Sequence, residues 1–441
     1  MYDIVVGRSP SDLKKLGLRG TILIGKQYIT MGQVTTLSNK IYMDIAGAHV
    51  VFICGKRGGG KSYTIGVVAE GLADLEPEVK QNISIILLDT MGIYWTMKYP
   101  NHKDETLLKE WGLESKGINV RIFTPISYYK KFKEQGIPTD FPFSLDPSEL
   151  DQDDWCHAFR QDKYSPNGTA ITRAVLTLKE TKKGYSLDDL ISFIKNDQDT
   201  EKEVKEAVIN MFELAERWGV FSDTPTPIHE LAKAGEVTVL DVSCYATQPG
   251  GWDIKALIVG IVSEHLFTQR MDYRKGEEYK SVHKALHYFG EEEKAKLEMP
   301  LVWLVIDEAH EFLPKDPADA NAATYPLVVI MREGRQPGIS LILATQQPGK
   351  IHTDVMTQAD VVLSHRITAK TDVDALGMLA QSYMRGGLVE ALDKLPREKG
   401  AGVLFDDSNE RLYPVRIRPR FSWHGGGSPT AVPEIEKKFK L

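Results

Sequence analysis

Residues Val50 to Cys54 are an unbroken apolar run that leads straight into Gly55-Lys56-Arg57-Gly58-Gly59-Gly60-Lys61-Ser62 and then into "SYTIGVVAEGLADL". Buried strand, glycine loop and helix in this order match G-x-x-x-x-G-K-[ST], the phosphate-binding P-loop. The glycines let backbone N–H groups turn inward around phosphate oxygens while the helix points its positive end at them. Gly55, Gly58, Gly59, Gly60, Lys61, Ser62 and Tyr63 are therefore the candidate nucleotide-binding residues. Lys61 is placed to bridge the outer phosphates, and Ser62 to offer its hydroxyl to Mg²⁺.

A chain built on this unit must supply further parallel strands. Strand-like runs occur at 83–89, 120–125, 237–243, 301–307, 339–345 and 359–367, separated by helical stretches. Such alternation predicts an α/β fold with a mainly parallel sheet covered by helices. Residues 1–48 read as a small β-rich cap with one brief helix, "SPSDLKKLG". The core then runs over 49–140 and 236–400, interrupted by a helical insertion at 141–235 with patterns such as "EKEVKEAVINMFELAERWG". Residues 401–441 read as a β pair, "GAGVLF" and "RLYPVRIRPRF", followed by a Gly/Pro-rich extended arm.

The phosphate loop needs partners that hold a metal ion and activate water. "LVWLVIDEAH" supplies both at the end of one apolar run: Asp307 for Mg²⁺ and Glu308 to polarise the attacking water. The next run ends at Gln346, a candidate γ-phosphate sensor, with Gln347 as the competing candidate. Between them "MREGRQPG" offers Arg332 and Arg335, either of which suits insertion into a neighbouring subunit's site. The letters "DEAH" also name a helicase class with two motor domains, but residues 311–441 are too few for a second one. One motor per chain implies that other subunits complete the site, and hence a ring.

Composition excludes several classes. A net charge of −7 argues against a coat of positive charge for non-specific nucleic-acid binding. A nucleic-acid partner would then need a local basic surface, for which "TMKYPNHK" and "ISYYKKFKEQG" are candidates. No run approaches the roughly 20 apolar residues of a membrane span, and "MYDIVVGRSPSDLKK" lacks a signal-peptide layout, so a cytosolic protein is expected. Cys54, Cys156 and Cys244 have no metal-type spacing.

Taken together, "GKRGGGKSYT", "IDEAHEFLP", "REGRQPG" with "LILATQQP", "VTVLDVS" and "VRIRPRFSWHGGGSP" resemble the HerA family of ATPases across nearly the whole chain. The resemblance implies a RecA-like ATP- and Mg²⁺-dependent motor in a homohexameric ring, with an N-terminal barrel-like cap and a C-terminal brace. It implies action on double-stranded DNA in end processing and double-strand break repair, with a NurA-type nuclease as partner. It also implies Lys61, Glu308, Gln346, Arg332 and Arg335 as catalytic residues and Ser62 and Asp307 as metal ligands. Two departures stand out: Ile93 falls where the family often has Glu in an Asp-x-x-Gly-Glu-Tyr pattern, and the leader is short for a full barrel. Alternative readings are a pump of a secretion or conjugation machine, and an ATP-switched scaffold that recruits a nuclease.

Overall fold

In a computed structural model, which describes residues 2–31, 34–286, 296–377 and 385–427, the strands form one continuous sheet. They are β1 (Ile4–Val6), β2 (Thr21–Met31), β3 (Val34–Asp44), β4 (Val50–Cys54), β5 (Ile83–Asp89), β6 (Val120–Pro125), β7 (Phe141–Phe143), β8 (Val237–Asp241), β9 (Leu301–Ile306), β10 (Ile339–Thr345), β11 (Val361–His365), β12 (Ala401–Asp406) and β13 (Arg411–Ile417). Their order is β1-β3-β2-β13-β12-β11-β4-β10-β9-β5-β8-β6-β7. Strands β11, β4, β10, β9, β5, β8, β6 and β7 run parallel to one another, whereas β12, β13 and the β2–β3 hairpin join antiparallel. The α/β class and mainly parallel sheet expected from the sequence are thus present.

Alternation along a strand explains why β4 is apolar at every position. Val51 and Ile53 pack on one face with the P-loop helix Lys61–Ala73, while Phe52 and Cys54 pack on the other, and a parallel strand covered on both faces has no wet side. The second face carries the helices Gln152–Ala158, Pro166–Thr181, Leu187–Asn196 and Lys202–Glu216. Asp151 with Asp154 and Ser186 with Asp189 form capping boxes that start two of these helices. Their core gathers around fully buried Trp155, stacked on Phe159 at 5.5 Å and edge-on to Phe212 at 5.1 Å.

Two elements went unread in the sequence. β7 adds an edge strand at the start of the 141–235 stretch. The long helix Gly251–Leu286 buries Ile254, Leu257, Ile258, Ile261, Val262 and Leu266 in its first half and turns charged and exposed thereafter. That change of character along one helix hides a single period. The N-terminal strands do not stand apart: β2 pairs with β13, so the β-rich leader continues the core sheet. The expected extended arm lies mostly at 428–441, outside the described residues.

Two charged contacts tie distant parts of the chain together. Glu70, on the P-loop helix and with no solvent exposure, accepts from Arg418 Nη1 (2.7 Å), Arg420 Nε (3.1 Å) and the Ser422 hydroxyl (2.6 Å). One turn earlier, Gly66 makes room for the Arg420 guanidinium, since a Cβ there would lie 2.4 Å from Cζ. His49 joins the end of the hairpin to the core, with Nδ1 2.6 Å from Asp360 Oδ2 and Nε2 3.4 Å from Asp44 Oδ2. Burial works to lower the His49 pKa, but the bonds and charges of Asp360 and Asp44 outweigh it and raise it to about 9.

Glu70→Ala leaves two guanidiniums buried without their carboxylate, a change that costs about 3–5 kcal/mol. The variant is expected to melt far below wild type in a thermal scan, and an unchanged melting temperature would refute the role given to this clamp. His49 contributes stability that is fully present below its unfolded pKa of about 6.5 and is lost as pH rises through its folded value. Wild type should therefore lose melting temperature between pH 6.5 and pH 9.5, and His49→Gln should flatten that slope.

Candidate active site

β4 ends at the glycine loop, and Gly60, at φ 110°, adopts a backbone that a side chain would strain as it caps the helix Lys61–Ala73. Buried Lys61 donates from Nζ to the carbonyl of Gly55 at 3.1 Å. Burial pushes its pKa down, against the charges of Glu308 and Asp307. His365, from the neighbouring strand β11, braces the start of the helix, with Nε2 2.9 Å from Thr64 Oγ1 and Nδ1 3.2 Å from the Ala401 carbonyl. Burial lowers the His365 pKa to about 4, so the ring is neutral, with its proton on Nδ1 toward that carbonyl.

At the end of β9, Asp307 Oδ2 accepts from the Ser62 hydroxyl at 2.7 Å and from the Tyr94 hydroxyl at 3.1 Å. The second contact depends on Asp89, the last residue of β5. Its carboxylate accepts the backbone N–H groups of Met91 (3.1 Å), Gly92 (2.7 Å), Ile93 (2.8 Å) and Tyr94 (2.9 Å), folding that loop so that the Tyr94 ring reaches inward. Ile93 packs against the core on the P-loop-helix side of the sheet, with no carboxylate at that position.

Glu308 follows Asp307 at φ 52°, a left-handed conformation unusual for a side chain this long and of the kind found at functional sites. Its Oε1 accepts from the Gln346 amide, while its Oε2 is buried with no hydrogen-bond partner. Burial and the Asp307 charge push the Glu308 pKa up, and the Gln346 amide opposes them. Gln347 takes a different task, donating to His310 Nε2 at 3.2 Å. That leaves the His310 proton on Nδ1, 3.0 Å from Thr345 Oγ1 and 3.6 Å from Glu308 Oε2. Burial pushes the His310 pKa down, so the ring is neutral beside the carboxylate.

The structure brings Lys61, Ser62, Asp307, Glu308 and Gln346 into one cluster at the C-terminal ends of β4, β9 and β10. Arg332 and Arg335 are not part of it. They line a cavity of ≈ 510 Å³ with Val50 and Ile339, at the opposite ends of β4 and β10. At 3.3 Å per residue, β4 alone sets them about 13 Å or more from the loop of their own chain. Arg332 is occupied with Asp354, Nε to Oδ2 at 2.6 Å. Tyr63 turns its hydroxyl toward the C-terminal segment, accepting the Arg420 backbone N–H at 2.7 Å, and its ring lines a second cavity running away from the loop. Four contributors were not among the candidate site residues: Asp89, Tyr94, His310 and His365. Asp89, Tyr94 and His310 had a signal, since each lies within a motif quoted above, whereas His365 had none because its partner Thr64 is 301 residues away.

Ser62 and Asp307 offer hard oxygen donors side by side, a pair that suits Mg²⁺ and its water ligands. A phosphate loop, a paired Ser–Asp and a carboxylate held by an amide at the end of a parallel sheet define a P-loop nucleotide-binding, ATP-hydrolysing enzyme. The family described as "Helicase HerA, central domain" matches residues 29–249, and the chain belongs to it. The probable DNA double-strand break repair helicase HerA of Methanocaldococcus jannaschii is 23% identical over 373 residues, covering 78% of this chain and 67% of that protein. The DNA double-strand break repair helicase HerA of Pyrococcus furiosus is 27% identical over 198 residues, covering 42% of this chain and 33% of that one. Among solved structures, VirB4 of Thermoanaerobacter pseudethanolicus has a TM-score of 0.50 at 13% identity, covering 90% of this chain and 96% of that chain, a likeness of fold.

Tyr94→Phe removes one hydrogen bond to a charged acceptor, an interaction of about 1.5–3 kcal/mol. The Mg²⁺ concentration needed for half-maximal hydrolysis is expected to rise several-fold, with nucleotide affinity measured without Mg²⁺ unchanged. An unaltered Mg²⁺ titration would remove Tyr94 from the site.

Proposed function

We propose that this chain is the subunit of a cytosolic homohexameric ring that hydrolyses ATP to move along double-stranded DNA, supplying a nuclease partner during double-strand break repair. The observation that carries the ring is the separation just described: the hydrolytic cluster lies at one end of the sheet and Arg332 and Arg335 at the other. A subunit stacked end to side on the next would bring one of these guanidiniums to its neighbour's phosphates, where it stabilises charge developing on the transferred group. The DNA substrate and the repair context are supported by the two relatives described as DNA double-strand break repair helicases.

Within the site, Lys61 and the loop N–H groups hold the outer phosphates, and Ser62 and Asp307 hold Mg²⁺, which when bound neutralises phosphate charge. The Glu308 carboxylate accepts a proton from the attacking water, and the Gln346 amide donating to its Oε1 holds it in place. Tyr94 and Asp89 keep Asp307 in place behind them. For the DNA, the exposed Lys130, Lys131 and Lys133 on the helix Ile126–Glu134 are the better candidates of the two basic segments, because Lys98 in the other is paired with Asp140 at 2.7 Å. Phosphate contacts of this kind hold DNA without reading its sequence, as a translocating motor requires.

The test is ATP hydrolysis with and without linear duplex DNA. Duplex DNA should stimulate the wild type strongly, and Lys61→Ala and Glu308→Gln should each lower turnover by roughly 100-fold or more. A rate indifferent to DNA would overturn the DNA motor and leave a protein pump or a nucleotide-timed scaffold. Arg332→Ala and Arg335→Ala subunits, each inactive or weak alone, are expected to regain hydrolysis when mixed with Lys61→Ala subunits for whichever arginine acts across the interface. If neither mixture regains activity, the trans arginine is lost from the scheme.

A further inference from the structure

Lys255 lies one turn into the long helix Gly251–Leu286 and is only 1% exposed. Lysine is almost never buried this fully unless its charge is matched. Among the described residues its ammonium makes one hydrogen bond, to the Thr90 carbonyl at 3.4 Å, and it lies 4.1 Å over the centre of the Trp252 ring. Thr90 directly follows Asp89, and Asp89 stands beside Asp241 in the register of β5 and β8. We infer that Lys255 is a positioning residue of the hydrolytic site: it is the counter-cation that lets Asp89 stay ionised beside Asp241, so that Asp89 holds the 91–94 loop and Tyr94 reaches Asp307. The inference rests on the reading of Ser62 and Asp307 as the residues that hold Mg²⁺, and it adds the cation that balances the acids around the Tyr94 loop.

Asp89 and Asp241 are both buried, and two carboxylates side by side away from water repel each other. Burial and the Asp241 charge push the Asp89 pKa up to about 7, while its bonds to the N–H groups of Tyr94, Met91 and Gly92 work the other way. Asp241 is raised by burial too, with its Ser243 bonds and the Lys255 charge opposing. Asp89 therefore stands at the edge of taking a proton, and a protonated carboxyl has lost the charge on which four backbone N–H donors converge. Burial pushes Lys255 down, against the charges of Glu311, Asp89 and Asp241. Glu311, on the turn that follows Glu308, is the third acid around the ammonium; burial lifts its pKa to about 7 with Lys255 opposing. The other titratable groups nearby, Tyr94 and Cys244, are pushed up by burial and stay neutral. One cation thus faces buried acids from β5, β8 and the turn after β9. Without it Asp89 and Asp241 carry one charge too many, and a proton on Asp89 relieves the excess.

The full-length chain should be titrated calorimetrically with a non-hydrolysable ATP analogue, with and without Mg²⁺. The proteins compared are wild type, Lys255→Met, Tyr94→Phe, Lys255→Met combined with Tyr94→Phe, and Lys255→Met combined with Asp241→Asn. Lys255→Met is expected to cut the affinity gained from Mg²⁺ about tenfold, as for one lost hydrogen bond to a charged acceptor, and to leave affinity without Mg²⁺ unchanged. On top of Tyr94→Phe it should cost nothing further, because Lys255 acts through Tyr94. Asp241→Asn keeps an oxygen for the Ser243 N–H (2.9 Å) and removes the competing charge, so it should restore most of the gain. Equal weakening with and without Mg²⁺, additive losses with Tyr94→Phe, no restoration by Asp241→Asn, or an unchanged Lys255→Met would each overturn the inference. Should Lys255→Met fail to fold, a folded combination with Asp241→Asn that shows the wild-type gain supports the charge balance. A combination that also fails to fold assigns Lys255 to packing and overturns its role. A wild type that gains nothing from Mg²⁺ would sink the metal reading and this inference with it, whereas a wild-type gain that Lys255→Met does not alter sinks Lys255 alone.

Discussion

Glu70 is one carboxylate, fully buried, on which the two ends of the chain converge. It sits on the helix that begins with Lys61 and Ser62, and its oxygens take Arg418, Arg420 and Ser422 from the far end of the sequence. A buried carboxylate is tolerated only when its lone pairs are filled and its charge is balanced, and here two guanidiniums do both. The excess donors of Arg420 then reach His424, Ser422 and the Trp423 carbonyl, so the same ion pair that fixes the helix also shapes the segment above it. The glycine loop at the start of this helix and the C-terminal segment beside it are held in register by this contact.

A second constraint acts along the strands. Parallel strands collect their C-terminal ends on one side of the sheet, and a site assembled there draws one group from each of several strands. Asp89, Asp307, Gln346 and the glycine loop are those ends, brought together by the order β4-β10-β9-β5. The arginine segment precedes β10 and so falls on the other side of the sheet. Direction of the chain, rather than distance along it, thus divides the cluster around Lys61, Asp307 and Glu308 from the arginines proposed to act on it from a neighbouring subunit.

Much of this was legible in advance. The runs at 50–54, 83–89, 120–125 and 339–345 appear as strands with the same limits, because a parallel strand buried on both faces is apolar along most of its length. The β-rich leader, by contrast, reads as a separate cap only while its partner is unknown; pairing of β2 with β13, nearly four hundred residues later, makes it part of the core sheet. β7 is three residues long, too short to carry a period, and the helix Gly251–Leu286 changes from apolar to charged midway.

By itself the sequence determined the nucleotide loop and the acidic pair, since a glycine turn, a lysine and a hydroxyl act as consecutive residues and an Asp-Glu step after an apolar strand needs no knowledge of the fold. The tertiary structure alone decided which groups complete them. Tyr94 on Asp307, Thr64 on His365, Arg418 and Arg420 on Glu70, and His424 on Tyr63 are all contacts between segments far apart in the chain. No local pattern encodes them, because each depends on strand order and on how buried charge is neutralised once the sheet has closed around it.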